Sequence, residues 1–113
     1  MESKTSKSAY AGGVSKSRMA SWKKEFGKVH KIEVKVSESE KVTGYLREPS
    51  RDQYGTCAQI AQKKTALAGG EFILNNCWLG GDDRIKSDDK VYISAAISAM
   101  ELFDFLPSSI SEV

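Results

Sequence analysis

Cys57, Cys77 and His30 are the side chains of this 113-residue sequence that could supply a nucleophile, a base or a soft metal ligand. A cysteine nucleophile needs a base within hydrogen-bond reach, and the sequence offers one histidine for that role. A Cys–His dyad is formally allowed, but His30 opens an edge-like strand among lysines, where a solvated imidazole is the ordinary expectation. Structural zinc takes four ligands and normally a close pair such as C-x-x-C, which two cysteines twenty positions apart and one histidine do not provide. Both cysteines fall on apolar faces of expected helices, where cysteine behaves as a small hydrophobe, so buried free thiols are expected.

The acidic stretch Asp82-Asp83-Arg84-Ile85-Lys86-Ser87-Asp88-Asp89 invites a calcium reading. An EF-hand loop opening at Asp82 would place Arg84 and Lys86 at ligand positions and Ile93 where a bidentate glutamate belongs, so the reading fails on chemistry. Gly69-Gly70 and Gly80-Gly81 belong to neither G-x-x-x-x-G-K-[ST] nor G-x-G-x-x-G, and read as helix terminators. The sequence thus points to a protein without catalytic residues, cofactor or metal, whose work is binding.

The elements that would position such a surface follow from periodicity. Ser17 to Phe26 carries Met19, Trp22 and Phe26 at helical spacing and is followed by Gly27, a usual helix stop. Lys31 to Val36 alternates strictly, with Ile32, Val34 and Val36 on one face, and Lys41 to Arg47 alternates likewise, so the two form an antiparallel hairpin. Two strands alone are marginal in water, so helices or a partner strand must cover their apolar face. Pro49 ends the second strand, and Ser50-Arg51-Asp52-Gln53 has capping-box spacing for a helix running to about Leu67, stopped by Gly69-Gly70. Glu71 to Leu79 reads as a two-turn buried helix ended by Gly80-Gly81. Ser87-Asp88-Asp89 caps a long helix from Asp88 to Phe105, with Val91, Tyr92, Ala95, Ala99, Leu102 and Phe103 facing inward. The expected fold is therefore α+β, an N-terminal β-hairpin packed on a small bundle of three to four helices. It comprises a flexible basic leader (1–16), a single domain (17–106) and a short tail (107–113).

Composition agrees with one folded domain: 40% of residues are hydrophobic and 28% charged, which is ordinary globular usage. No run approaches the roughly 18 apolar residues of a membrane span, and the polar N-terminus lacks the apolar segment of a secretory signal, so a soluble cytosolic protein is expected. The net charge of +2 hides an asymmetry. Residues 1–35 hold nine Lys or Arg against Glu2, Glu25 and Glu33, whereas residues 36–113 hold eight against twelve acidic side chains. Such a basic arm reads first as a solvated leader. It also allows a nucleic-acid-binding alternative through Lys4, Lys7, Lys16, Arg18, Lys23 and Lys24, whose affinity would fall steeply with salt. Large aromatic and apolar side chains are the candidates for contact with another protein: Trp22 and Phe26 on the first helix, Trp78, and Phe103, Phe105 and Leu106 near the end. For Trp78 core packing is the stronger expectation.

Gly44-Tyr45-Leu46-Arg47-Glu48-Pro49-Ser50, followed by Leu74-Asn75-Asn76-Cys77-Trp78-Leu79-Gly80-Gly81-Asp82-Asp83-Arg84-Ile85-Lys86-Ser87-Asp88-Asp89, resembles small bacteriophage and prophage proteins akin to tail assembly chaperones. The opening Trp22-Lys23-Lys24-Glu25-Phe26-Gly27-Lys28-Val29 leading into Ile32-Glu33-Val34 is similar too. The resemblance covers roughly residues 20 to 105. It implies a non-enzymatic phage morphogenesis protein that contacts a tape-measure, tail or other virion protein in the bacterial host cytoplasm. The longer basic leader, and an ending at Leu106-Pro107 where relatives continue with a charged helix, leave a place in the mature virion as the alternative. Homo-oligomerisation is a reasonable means of covering the hairpin.

Overall fold

The computed structural model describes residues 10–103 and 108–113. The fold is α+β: among the described residues, a three-stranded antiparallel sheet and five helices. Helix α1 (Lys16–Phe26) leads into β1 (Val29–Lys35) and β2 (Lys41–Arg47), then α2 (Arg51–Lys63), α3 (Ala66–Asn76), β3 (Trp78–Gly81), α4 (Arg84–Ser87) and α5 (Asp89–Ala99). A 3-10 turn at Met100–Phe103 continues α5. Among the described residues no helix is long and apolar enough to cross a membrane.

The expected hairpin is present, with Ile32 opposite Gly44 and Val34 opposite Val42. It is not alone. β3 pairs antiparallel with β2, so the strand order is β1-β2-β3 and β2 is central, buried along Val42 to Leu46. The sheet divides two apolar layers, as a pleated strand with alternating side chains requires. On one face Ile32, Val34, Val42 and Leu46 join Cys57, Ile73, Leu74, Cys77, Ile85, Val91 and Ala95 in the main core beneath α2, α3 and α5. On the other, Tyr45 packs with Val14 and Met19, flanked by Trp22, Val29 and Leu79.

Four expectations are corrected. Gly69-Gly70 does not stop a helix: α2 ends at Lys63, Thr65 caps α3 by accepting from the Ala68 N–H at 3.0 Å, and both glycines lie inside α3. Their role is close approach. A Cβ on Gly70 would stand 2.0 Å from the Ala96 carbonyl oxygen and one on Gly69 3.0 Å from Cys57 Sγ, so α5 and α2 can nest against α3 only where side chains are absent. The helix expected over Glu71 to Leu79 starts earlier and ends at Asn76, and Trp78 to Gly81 is strand rather than helix and stop. A register irregularity between Tyr45 and Leu46 accommodates the extra residue of β3, so Trp78 lies against the main core and Leu79 against the smaller cluster. The acidic loop holds the short helix α4, and the last long helix closes at Ala99; residues 104 and 105 of its expected span lie outside the described residues.

The fourth correction concerns the leader. Tyr10 and Val14 form a bridge around the Gly12-Gly13 turn, Val14 is fully buried, and the Ala11 carbonyl accepts from the Tyr45 hydroxyl at 2.9 Å. Gly12 holds φ +79°, and a Cβ there would meet the Thr43 carbonyl oxygen at 2.7 Å. The domain therefore begins by Tyr10. The capping box at Ser50 forms as its spacing predicts, with Gln53 N–H donating to Ser50 Oγ at 3.2 Å and Ser50 N–H to Gln53 Oε1 at 2.9 Å.

Candidate partner-binding surface

The six side chains singled out for binding do not converge. Trp22 is half-buried on the outer face of the sheet, its ring 6.0 Å from that of Tyr45 and under the Arg18 guanidinium at 4.9 Å. The indole occupies room that Gly80 vacates, since a Cβ on Gly80 would come within 3.1 Å of it. Phe26, 37% exposed at the end of the same helix, lies 6.0 Å from the Arg47 guanidinium. Trp78 sits on the opposite face, over Gly44, where an added Cβ would fall 2.5 Å from the indole; Lys86 Nζ stands 5.5 Å from its ring. Trp78 is thus packed against the core. Phe103 closes the 3-10 turn, and Phe105 and Leu106 lie outside the described residues.

The two stretches that carry the resemblance meet in space. Leu46 pairs with Trp78, the Arg47 N–H donates to the Cys77 carbonyl at 2.9 Å, and Arg47 Nη2 donates to the Asn76 carbonyl at 3.2 Å. A cation at the C-terminus of α3 is where the helix dipole favours one. Arg47 Nη1 also donates to Gln53 Oε1 at 3.1 Å, tying α2 to the same corner. At the other end of the run Arg84 bridges Asp82 at 3.1 Å and Glu40 at 2.9 Å, holding α4 to the hairpin turn, and this contact holds the Asp82 carboxyl below the usual carboxylate range. The motif residues are architectural.

His30 is not a solvated imidazole. Its Nε2 lies 2.5 Å from Glu48 Oε1, and Glu48 Oε2 accepts from the Tyr54 hydroxyl at 2.9 Å. The hydrogen bond to His30 holds the Glu48 carboxyl below its usual range, while burial, with the Glu48 hydrogen bond second, pushes Tyr54 up to about 12. Neither thiol is paired with His30: Cys57 Sγ donates to the Gly69 carbonyl at 3.2 Å and Cys77 Sγ points to Gln53 Oε1 at 3.6 Å. Both cysteines are buried and free, and burial raises both thiols, Cys57 to about 11, which opposes the thiolate a nucleophile requires. Among the described residues no three His, Cys, Asp or Glu side chains are grouped to hold a metal ion.

Two surface features went unread in the sequence. On α5, Ile93 and Ile97 are 37% and 59% exposed, an i, i+4 apolar pair turned away from the core. Between β1 and α5 runs a groove of two hollows. One, of about 380 Å³, is lined by residues that include Ile32, Leu46, Ser98 and Leu102; the other, of about 290 Å³, includes Val34, Lys35, Val91 and Ser94. The isoleucines were legible as a spacing, but periodicity alone does not tell an exposed apolar pair from a core-facing one.

The chain matches no protein-family model, no curated protein and no solved structure.

Proposed function

We propose that this protein is a bacteriophage morphogenesis factor, akin to a tail assembly chaperone, that binds a tail or other virion structural protein without performing chemistry. The Gly44–Ser50 and Leu74–Asp89 runs supply the phage assignment through resemblance. The exposed Ile93–Ile97 pair on α5 is the observation that carries the binding surface. Large apolar side chains at helical spacing on an exposed face suit the apolar face of a helix or an extended segment that must be kept from self-association until assembly. In sequence, Phe103, Phe105 and Leu106 follow α5 and remain candidates by residue type.

The test is co-expression with the tape-measure and tail proteins of the genome that encodes it, followed by affinity capture. The wild-type chain is expected to co-purify with one of them, and Ile93→Lys/Ile97→Lys to lose it while retaining its circular dichroism spectrum, since both positions are exposed. Failure to bind any co-encoded structural protein overturns the proposal.

A further inference from the structure

The outer edge of β1 lies beside the groove, and its hydrogen-bonding pattern follows from the hairpin. The Val36 N–H donates to the Glu40 carbonyl at 3.0 Å. Pairs two residues apart repeat that arrangement in an antiparallel ladder, so His30, Ile32 and Val34 turn their backbone groups toward Leu46, Gly44 and Val42 of β2. On β2 the alternate residues serve β3: the Thr43 carbonyl accepts from the Asp82 N–H and the Arg47 N–H donates to the Cys77 carbonyl, both at 2.9 Å. By the same alternation Val29, Lys31, Glu33 and Lys35 aim their N–H and C=O groups away from the sheet. Among the described residues no backbone group pairs with that edge.

A seven-residue edge with unpaired groups is a template for another strand, and proteins normally blunt such edges with charge. Here the charges are self-complementary. If a second β1 lies antiparallel with Ile32 opposite Ile32, the strand pairs over its whole length. Lys31 then falls opposite Glu33 of the other copy, and Glu33 opposite its Lys31. These are also the positions whose backbone groups point outward, so side-chain attraction and ladder hydrogen bonds select the same register. Centring one residue later sets Glu33 against Glu33; one residue earlier, Lys31 against Lys31. Ser94 and Ser98, which line the groove on α5, are small and leave room beside the strand, and neither Ile93 nor Ile97 lines it.

We infer that the protein forms a two-fold homodimer by antiparallel pairing of β1 with β1 of a second copy about Ile32, making one continuous six-stranded sheet. The inference rests on the edge and its charges and is independent of which partner α5 binds. An isologous contact of this kind closes on itself.

The test is a charge swap on exposed positions, read by sedimentation equilibrium of the full chain, with circular dichroism to confirm folding. Lys31→Glu sets two carboxylates against each other on both sides of the two-fold, and Glu33→Lys does the same with two ammonium groups. Each variant is expected to weaken dimerisation about tenfold or more. The double variant Lys31→Glu/Glu33→Lys is expected to restore it, and an equimolar mixture of the two single variants to form a heterodimer, because the mixed register again opposes unlike charges. Amide exchange should slow with concentration at Lys31, Glu33 and Lys35 in the wild type and not in the single variants. A wild-type chain that remains monomeric to millimolar concentration overturns the inference, and so does a dimer that neither single reversal weakens.

Discussion

The two faces of the sheet are built on different principles. Beneath it, α2, α3 and α5 bury Leu46, Ile73, Leu74 and Ile85 completely, and glycines let α3 lie against its neighbours. Above it, α1 and the Tyr10–Val14 turn cover Tyr45 of the central strand with two buried side chains, Val14 and Met19, plus the half-buried Trp22. The lower layer has the continuous apolar contact that sets global stability, whereas the upper one is a thin cover whose opening need not unfold the rest. The difference teaches where change is tolerated: the thin upper cover can vary or open while the closely packed layer that carries the exposed Ile93–Ile97 pair on α5 keeps its shape.

The comparison breaks most sharply at Leu46, which is fully buried in the lower core. Leu46→Ala is expected to cost about 4 kcal/mol in urea unfolding, through lost transfer energy and the cavity left behind. Next, Gly70→Ala tests helix nesting. A methyl group 2.0 Å from the Ala96 carbonyl oxygen forces α3 and α5 apart, for an expected cost of about 3 kcal/mol in the same measurement. A loss below 1 kcal/mol would mean that α3 shifts freely and that the lower layer is not close-packed.

Met19→Ala addresses the upper layer. It removes most of one of that layer's buried side chains and is expected to cost about 2 kcal/mol. Residue-resolved hydrogen exchange should locate the loss in α1 and the Tyr10–Val14 turn, leaving α3 and α5 as protected as in the wild type. Equal loss of protection in all helices would show that the two layers open together.

The smallest expected effect concerns the Glu48 corner at the margin of the lower layer, where Tyr54 packs against the main core. The folded-state carboxyl is held below its ordinary value of 4.5, chiefly by His30, so this group adds stability above that value and the addition is lost as pH falls through the depressed value. The stability difference between wild type and Glu48→Gln should therefore be constant near neutrality and shrink in acid, as read from urea titrations at a series of pH values. Tyr54 has the opposite sign. With its hydroxyl pushed up to about 12, its contribution is complete below the ordinary value of 10.0 and is lost as pH rises toward 12. Tyr54→Phe should flatten that alkaline limb.

Local chemistry in the sequence determined much of this protein. The alternation of Ile32 and Val34 with lysine and glutamate marked β1, although Val36, expected on the same face, lies past the strand's end and is exposed; the Ser50–Gln53 spacing located the start of α2 through a hydrogen-bonded box that needs only four residues. Met19 and Trp22 marked α1, and the apolar setting of Cys57 and Cys77 marked buried free thiols. Those features depend on neighbours a few positions away.

Tertiary structure decided the rest, because the same local signal serves more than one end. A glycine pair reads as a helix stop, yet Gly69-Gly70 lies within α3, where Cys57 and Ala96 approach from residues 12 and 26 positions distant. Trp78 to Gly81 reads as a helix end until β2 offers a ladder to join. The Tyr10–Val14 turn carries few large side chains, and its order comes from the Tyr45 hydroxyl and the space beside Gly81. The candidate surface divided in the same way. Trp22, Phe26 and Trp78 could be named from residue type, but which face of the sheet each occupies, and which isoleucines of α5 stay outside, depended on strand order and helix rotation. Both are settled by contacts between distant segments, where packing and loop closure outweigh propensity.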